Sequence, residues 1–267
     1  MRAAGSAGRI AAIAANTFKE ALRNRVFLGL MVGALALILC SLLLSQMVVF
    51  DQQRRVVQDF GLAFISFAGV VIAIVVGVLL VYKELQLKTI YSLLSKPLHR
   101  WEFIVGRYAG MFLILVLMAL VLAGGWFGVM AVKGVALTSQ YLMAVVLVLG
   151  ELSIVGAVAV LFSSFSSPIL SGIFTFGVFV LGRLVYLVEE LLLASRGLFV
   201  DAPSLRPFGR AVVRVFPDLR AFDVSREILL EIPVTWEYVG QSLLYAGCYV
   251  LVLLVIAAAA FSRRDFV

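Results

Sequence analysis

Six apolar stretches, each long enough to cross the roughly 30 Å hydrocarbon core of a bilayer as a helix, constrain this chain more than any other feature. They occupy residues 26–50, 60–82, 108–132, 134–162, 169–188 and 238–261, and four of them carry no charge. In hydrocarbon no water satisfies backbone N–H and C=O groups, so a spanning segment must pair them within a helix or a closed barrel. The runs are continuously apolar rather than alternating, which selects helices. With 63% hydrophobic residues, 14% charged residues and a mean hydropathy of +1.12, the composition is far from that of a soluble domain. The chain therefore reads as an all-α polytopic membrane protein, one transmembrane domain over residues 1–267 with six spanning helices.

The same composition narrows the chemistry. The first apolar run is longer than the core of a signal peptide and has no small-residue cleavage pattern, so it is expected to stay as a helix. Cys40 and Cys248 both fall inside spans, which argues against a disulfide framework or a thiolate metal site. A single histidine, His99, leaves zinc almost without ligands. Neither G-x-x-x-x-G-K-[ST] nor G-x-G-x-x-G occurs, so the chain has no recognisable nucleotide cradle and cannot be its own ATPase. H-E-x-x-H and G-x-S-x-G are also missing, which leaves little for an embedded hydrolase, and no cofactor or metal is expected in the chain itself.

The formal charge of +7 comes from residues at span ends, which suits topology better than nucleic acid. Cytoplasmic loops accumulate Lys and Arg, and six spans put both termini on one side. With the termini inside, the cytoplasmic segments hold twelve basic residues: Arg2, Arg9, Lys19, Arg23, Arg25, Lys83, Lys88, Lys96, Arg100, Arg107, Arg263 and Arg264. The other side holds Arg54, Arg55 and Lys133, plus six arginines confined to one long segment between Arg196 and Arg226. Both termini are therefore expected in the cytoplasm, for a protein of the bacterial inner membrane.

Three connecting segments carry more pattern than a turn requires. Residues 9–24 place Ile10, Ile13, Thr17, Ala21 and Leu22 on one helical stripe, with Arg9, Asn16, Lys19, Glu20 and Arg23 largely elsewhere, as in a helix lying in the membrane interface. Residues 83–107 begin with a helical pattern from Glu84 to residue 95, in which Leu87, Ile90, Tyr91 and Leu94 share one face and Glu84, Lys88 and Ser92 another. Pro97 ends it, and a second basic turn at 99–107, including Arg100, follows. So much structure between two spans points to a contact on the cytoplasmic side, the alternative being a connector resting on the membrane. Residues 189–237 mix apolar and charged residues and are punctuated by Pro203, Pro207, Pro217 and Pro233; 205–216 and 224–232 suit short amphipathic helices. The turn at 163–168 is short, with Ser167 placed to cap the fifth span and Pro168 at its first position.

Two charges lie at membrane depth, Glu151 and Arg183, where ionisable groups demand a partner or a function. Glu151 is 12 residues before Ser163 and Arg183 is 15 after Pro168, so at 1.5 Å per residue their depths are about 18 and 22 Å. They are expected to be within reach of each other. A structural ion pair, a carboxyl lining a path or subunit interface, and an arginine snorkelling outward all remain open at this point. Gly69, Gly77, Gly124, Gly125, Gly128, Gly150 and Gly156 permit close helix approach without identifying an interface.

The stretch KELQLKTIYSLLSKPLHRWEFIVGRYAG resembles the segment after the second span in permease subunits of ABC-2-type ABC exporters, in the branch grouped with permeases of multi-copper-enzyme maturation systems. The resemblance rests on Glu84, Lys88, Thr89, Ile90, Leu93, Leu94, Ser95, Pro97, Leu98, Arg100, Glu102, Phe103, Gly106, Arg107 and Gly110, with weaker similarity at FPDLRAFDV (216–224) and the terminal RRDF. Many relatives carry Gly where this chain has Lys88. The resemblance implies two permeases per transporter, identical or not, and a pair of ABC ATPase subunits on the cytoplasmic face that bind ATP and Mg. It also implies that the loop after the second span is a coupling helix, with Leu87, Ile90, Tyr91 and Leu94 seated in a groove of the ATPase and Glu84 and Lys88 orienting it. A second reading is a membrane anchor or assembly component that transmits ATPase motion to an extracytoplasmic partner without moving a solute. Lipid is a partner in either reading, and nucleic acid in neither.

The sidedness has a direct check. Cysteines introduced at Ser92 and Gln53 are expected to label from opposite sides of the membrane, with Ser92 protected in intact cells; labelling of Ser92 from outside would invert the topology.

Overall fold

The computed structural model describes residues 5–47, 53–86, 99–194, 203–230 and 232–262. Among these, six helices are long and apolar enough to span a membrane, and no strand occurs. In chain order the elements are α1 (Ser6–Leu22), α2 (Arg25–Gln46), α3 (Gln53–Gln86), α4 (Arg100–Val132), α5 (Ser139–Ser163), α6 (Pro168–Leu193), α7 (Arg206–Val215), α8 (Ser225–Leu229) and α9 (Trp236–Ser262). Short 3-10 turns at Pro203–Leu205 and Arg220–Phe222 flank α7.

The bundle is built around α5. Its spanning window is 78% buried, against 22% for α2 and α6 and 11% for α9, so α5 is the core and those three helices form the rim. Small residues bring its neighbours close: a Cβ at Gly69 on α3 would meet Leu152, and one at Gly77 would meet Ala159, both on α5. The rim helices expose large apolar side chains such as Val32, Ile173, Leu244 and Leu251, which hydrocarbon rather than water must cover.

Several boundaries differ from the sequence expectation, each for a local reason. Helix α4 opens at Arg100, where an apolar run beginning at 108 was expected, so residues 99–107 are not a separate turn. The Glu102 carboxylate accepts a 3.2 Å hydrogen bond from the His99 backbone N–H, the back-reaching half of a capping box. Residue 134 is not the start of the fourth span but the stop of the third. Gly134 adopts φ +66°, Val135 N donates to Met130 O at 3.0 Å and Gly134 N to Ala131 O at 3.1 Å, the paired bonds of a Schellman end. Helix α5 then starts at Ser139. Ser167 does occupy the N-cap of α6 with Pro168 next to it, but its side chain makes no capping bond. Helix α3 continues without interruption to Gln86, so Glu84 belongs to the second spanning helix.

Helix α1 packs on the start of α4. Ala14, Thr17 and Ala21 form its buried face, and Gly106 and Gly110 of α4 lie so close that a Cβ there would meet Ile13 at 2.8 Å and Thr17 at 2.5 Å. The stripe expected to rest on lipid is thus largely covered by protein. Asn24 accepts from Val26 N at 2.9 Å and starts α2 directly after it.

Beyond α6 the chain folds back onto the bundle. A Cβ at Gly182 would sit 2.8 Å from Leu219 and 2.9 Å from the Pro217 carbonyl, and Leu219 N donates to Gly182 O at 3.1 Å. Valine at Gly182 should therefore lose about 1–3 kcal/mol through overpacking, read as a lower melting temperature in detergent. Gly128→Val, where a Cβ meets nothing within 4 Å, should melt like the parent protein.

Candidate functional site

The two charges at membrane depth meet. Glu151, near the middle of α5, is fully buried. Arg183 of α6 grips it with both arms of its fork, Nε to Oε1 at 2.8 Å and Nη2 to Oε2 at 3.0 Å. Ser66 of α3 donates from Oγ to Glu151 Oε2 at 2.9 Å and accepts from Arg183 Nη2 at 2.9 Å. The remaining arm, Nη1, donates to Asp223, which enters just after the Arg220–Phe222 turn. One guanidinium from α6 thus joins two carboxylates and a hydroxyl from three other parts of the chain. The side chain of Arg183 is 27% exposed and that of Asp223 36%, so this end of the cluster reaches solvent-accessible space while Glu151 does not.

That space is a cavity of about 200 Å³. Ser66, Arg183, Asp223 and Ser225 give it polar groups, and Leu62, Ala63, Phe67, Ala144, Val148, Phe179, Phe222 and Val224 give it apolar walls. The Phe179 ring lies 5.7 Å from the Arg183 guanidinium carbon. The arrangement can hold a polar group against Arg183 and Asp223 and an apolar body against Phe67 and Phe179.

Sequence reasoning missed Ser66 and Asp223. The signal for Asp223 lay in the 216–224 similarity, whereas the composition pointed to short amphipathic helices at 205–216 and 224–232 and left the residues between them without a role. In the structure Phe222 is fully buried against Gly150, and Tyr238, Tyr245 and Tyr249 of α9 bind the segment's backbone through their hydroxyls: Tyr238 donates to Ala221 O, Tyr249 donates to Val215 O, and Tyr245 accepts from Asp218 N.

A second charged cluster sits at the base of α4. Glu102, fully buried, takes Arg9 Nε at 3.0 Å and Arg9 Nη2 at 2.6 Å, and also accepts from the Ser6 hydroxyl. This hydrogen bonding raises the Arg9 guanidinium above its ordinary value. Arg107, 2% exposed, lies 3.6 Å from Glu20, donates to Thr17 Oγ1 at 3.4 Å and stacks near Phe103. Phe103 in turn stacks on Phe261 of α9 at 5.7 Å. The two arginines counted for topology are therefore bonded into the fold. Of the proposed coupling residues, Glu84 lies in α3 and Arg100 opens α4. Leu87, Lys88, Ile90, Tyr91, Leu94 and Pro97 lie outside the described residues.

Six spanning helices with a polar cavity among them define a multi-pass helical membrane protein. A family model described as ABC-2 family transporter protein matches residues 11–266, and the chain belongs to that family. It is accordingly a membrane permease subunit of an ABC transporter, a class that works with an ABC ATPase. A comparison with curated proteins gave no match.

Removing one member of a buried ion pair typically costs about 3–5 kcal/mol. Arg183→Gln, which strands two carboxylates, should destabilise more than Glu151→Gln, which leaves Arg183 with Asp223. The Glu151→Gln/Arg183→Gln double variant should be more stable than additivity requires, as measured by thermal melting in detergent; additive losses would reject direct pairing.

Proposed function

We propose that this permease is the membrane-spanning half of an ATP-driven exporter. In this reading two copies, or this chain and a similar one, pair in the inner membrane with both termini in the cytoplasm. A pair of ABC ATPases binds and hydrolyses MgATP below them and grips the segment 83–107. Leu87, Ile90, Tyr91 and Leu94 supply the apolar face that enters the ATPase groove, Glu84 and Lys88 orient it, Pro97 ends the coupling helix, and Arg100 leads into α4.

The observation that carries this reading is the seat of α1 on α4. Five of the residues behind the resemblance, Glu102, Phe103, Gly106, Arg107 and Gly110, form that seat in the first three turns of α4. Their bonds tie the start of α4 to α1 and α9, so a displacement delivered at residue 99 moves a packed unit rather than a single frayed helix end. The cavity at Arg183 and Asp223 is the candidate substrate contact, fitting a molecule with a polar head and an apolar body.

The test is co-purification with the ATPase. Ile90→Asp should abolish association, because it buries a carboxylate without a partner. Ser92→Ala should assemble normally, and Lys88→Glu should weaken assembly in a salt-dependent manner. Full retention of binding and substrate-responsive turnover in Ile90→Asp would sink the coupling role. Assembly and hydrolysis that never respond to solute would favour a non-transporting component acting on an extracytoplasmic partner.

A further inference from the structure

A second cavity, of about 290 Å³, lies between α7 and the end of α6. Arg206, Arg210 and Arg214 line it from α7, and Glu189, Leu192 and Leu193 from α6. The arginines recur every four residues and so share one face of α7. Gly209 is the buried residue of that helix, and Phe208 and Val215, on the side away from the arginines, are 70% and 66% exposed. Helix α7 therefore has a face against the bundle, a basic face and an uncovered apolar face.

Its level relative to the bilayer follows from α6. Glu189 is 21 residues after Pro168, about 32 Å along the helix, which matches the roughly 30 Å thickness of the hydrocarbon core. The cleft is thus at headgroup level on the side of the bundle opposite α1. Leu193, which lines the cleft with Glu189, is exposed at the end of α6, where acyl chains would meet it. Arg210 and Arg214 supply two exposed guanidiniums to the cleft. Among the described residues no carboxylate stands within ion-pair range of Arg210 or Arg214, both of which are exposed.

We propose that this cleft binds the phosphate of an anionic phospholipid, with Arg210 and Arg214 as its ligands and Phe208 and Val215 among the acyl chains. Guanidinium forks match phosphate oxygens in pairs, and an exposed apolar face on the opposite side of the same helix suits burial among lipid rather than in water, which favours a lipid over a soluble phosphate. The assignment also gives a role to two of the six arginines in residues 196–226, which run against the positive-inside bias of the rest of the chain. It does not depend on the coupling role of residues 83–107.

The experiment is native mass spectrometry of the full chain in detergent, titrated with phosphatidylglycerol or with phosphatidylcholine of the same acyl chains. The parent protein should prefer phosphatidylglycerol on the order of tenfold, from two arginines near a phosphate. Arg210→Gln/Arg214→Gln should bring the preference to within about twofold at an unchanged melting temperature, while Arg210→Lys/Arg214→Lys should retain most of it. Arg226→Gln, on α8 and outside the cleft, should leave the preference in place. An unchanged preference in the double glutamine variant would overturn the proposal, as would an equal loss in Arg226→Gln. Displacement of phosphatidylglycerol by millimolar glycerol phosphate would overturn it in favour of a soluble anion.

Discussion

A single guanidinium shared by two carboxylates holds the centre of this molecule together. Glu151 is fully buried in the central helix, and an isolated ionised carboxylate in such surroundings is so costly that it must be paired. Pairing it fixes the face of α6 that turns inward. The same guanidinium then reaches Asp223, which fixes the depth of the segment following α7. With Arg183 in place, Gly182 lies against Leu219 and Gly150 against Phe222, and neither glycine leaves room for a side chain. Non-helical backbone inside a bundle survives only where its polar groups find protein partners. Here Gly182 O takes the Leu219 N–H, and three tyrosine hydroxyls of α9 bind the backbone of residues 215–221.

The spans were legible because the runs are long, continuous and nearly free of charge, and the Glu151–Arg183 meeting was legible because residue rise converts position into depth. What the sequence hid follows from partner-dependent burial. Glu102 and Arg107 look like loop residues by composition, yet each is buried once α1 supplies Arg9 and Glu20. The apolar run therefore understated α4 by its first two turns. Asp223 was hidden for a related reason: one Arg and one Glu already balance, so nothing local called for a third charge from a segment rich in prolines and arginines.

Gly134 shows the opposite case, a residue whose conformation outranks its hydropathy. Residues 134–138 are apolar enough to extend a spanning run, but the left-handed turn at Gly134 closes α4, and the chain resumes helix only at Ser139. Hydropathy locates the membrane-spanning mass of each helix, while the caps decide where helix begins and ends.

The two charged clusters are joined through α4 and α5. Tyr108, next to Arg107, donates its hydroxyl to the Ser153 carbonyl at 3.1 Å, and Ser153 lies two residues beyond Glu151. Ser153 Oγ bonds back to Gly150 O at 2.7 Å, and Gly150 is the residue packed on Phe222. Contacts thus run without a gap from α1, through the base of α4, to the centre of α5 and the folded-back segment at the cavity. Contiguity alone is not coupling, since energy passes between sites only where an element has two arrangements that both sites bias. Arg183 spans the junction: one arm pair is committed to a carboxylate that cannot be solvated, the other arm to Asp223, which borders the cavity. The buried charge of Glu151 and the folded-back segment therefore share one partner, and the position of the segment is tied to the ion pair at the centre of α5.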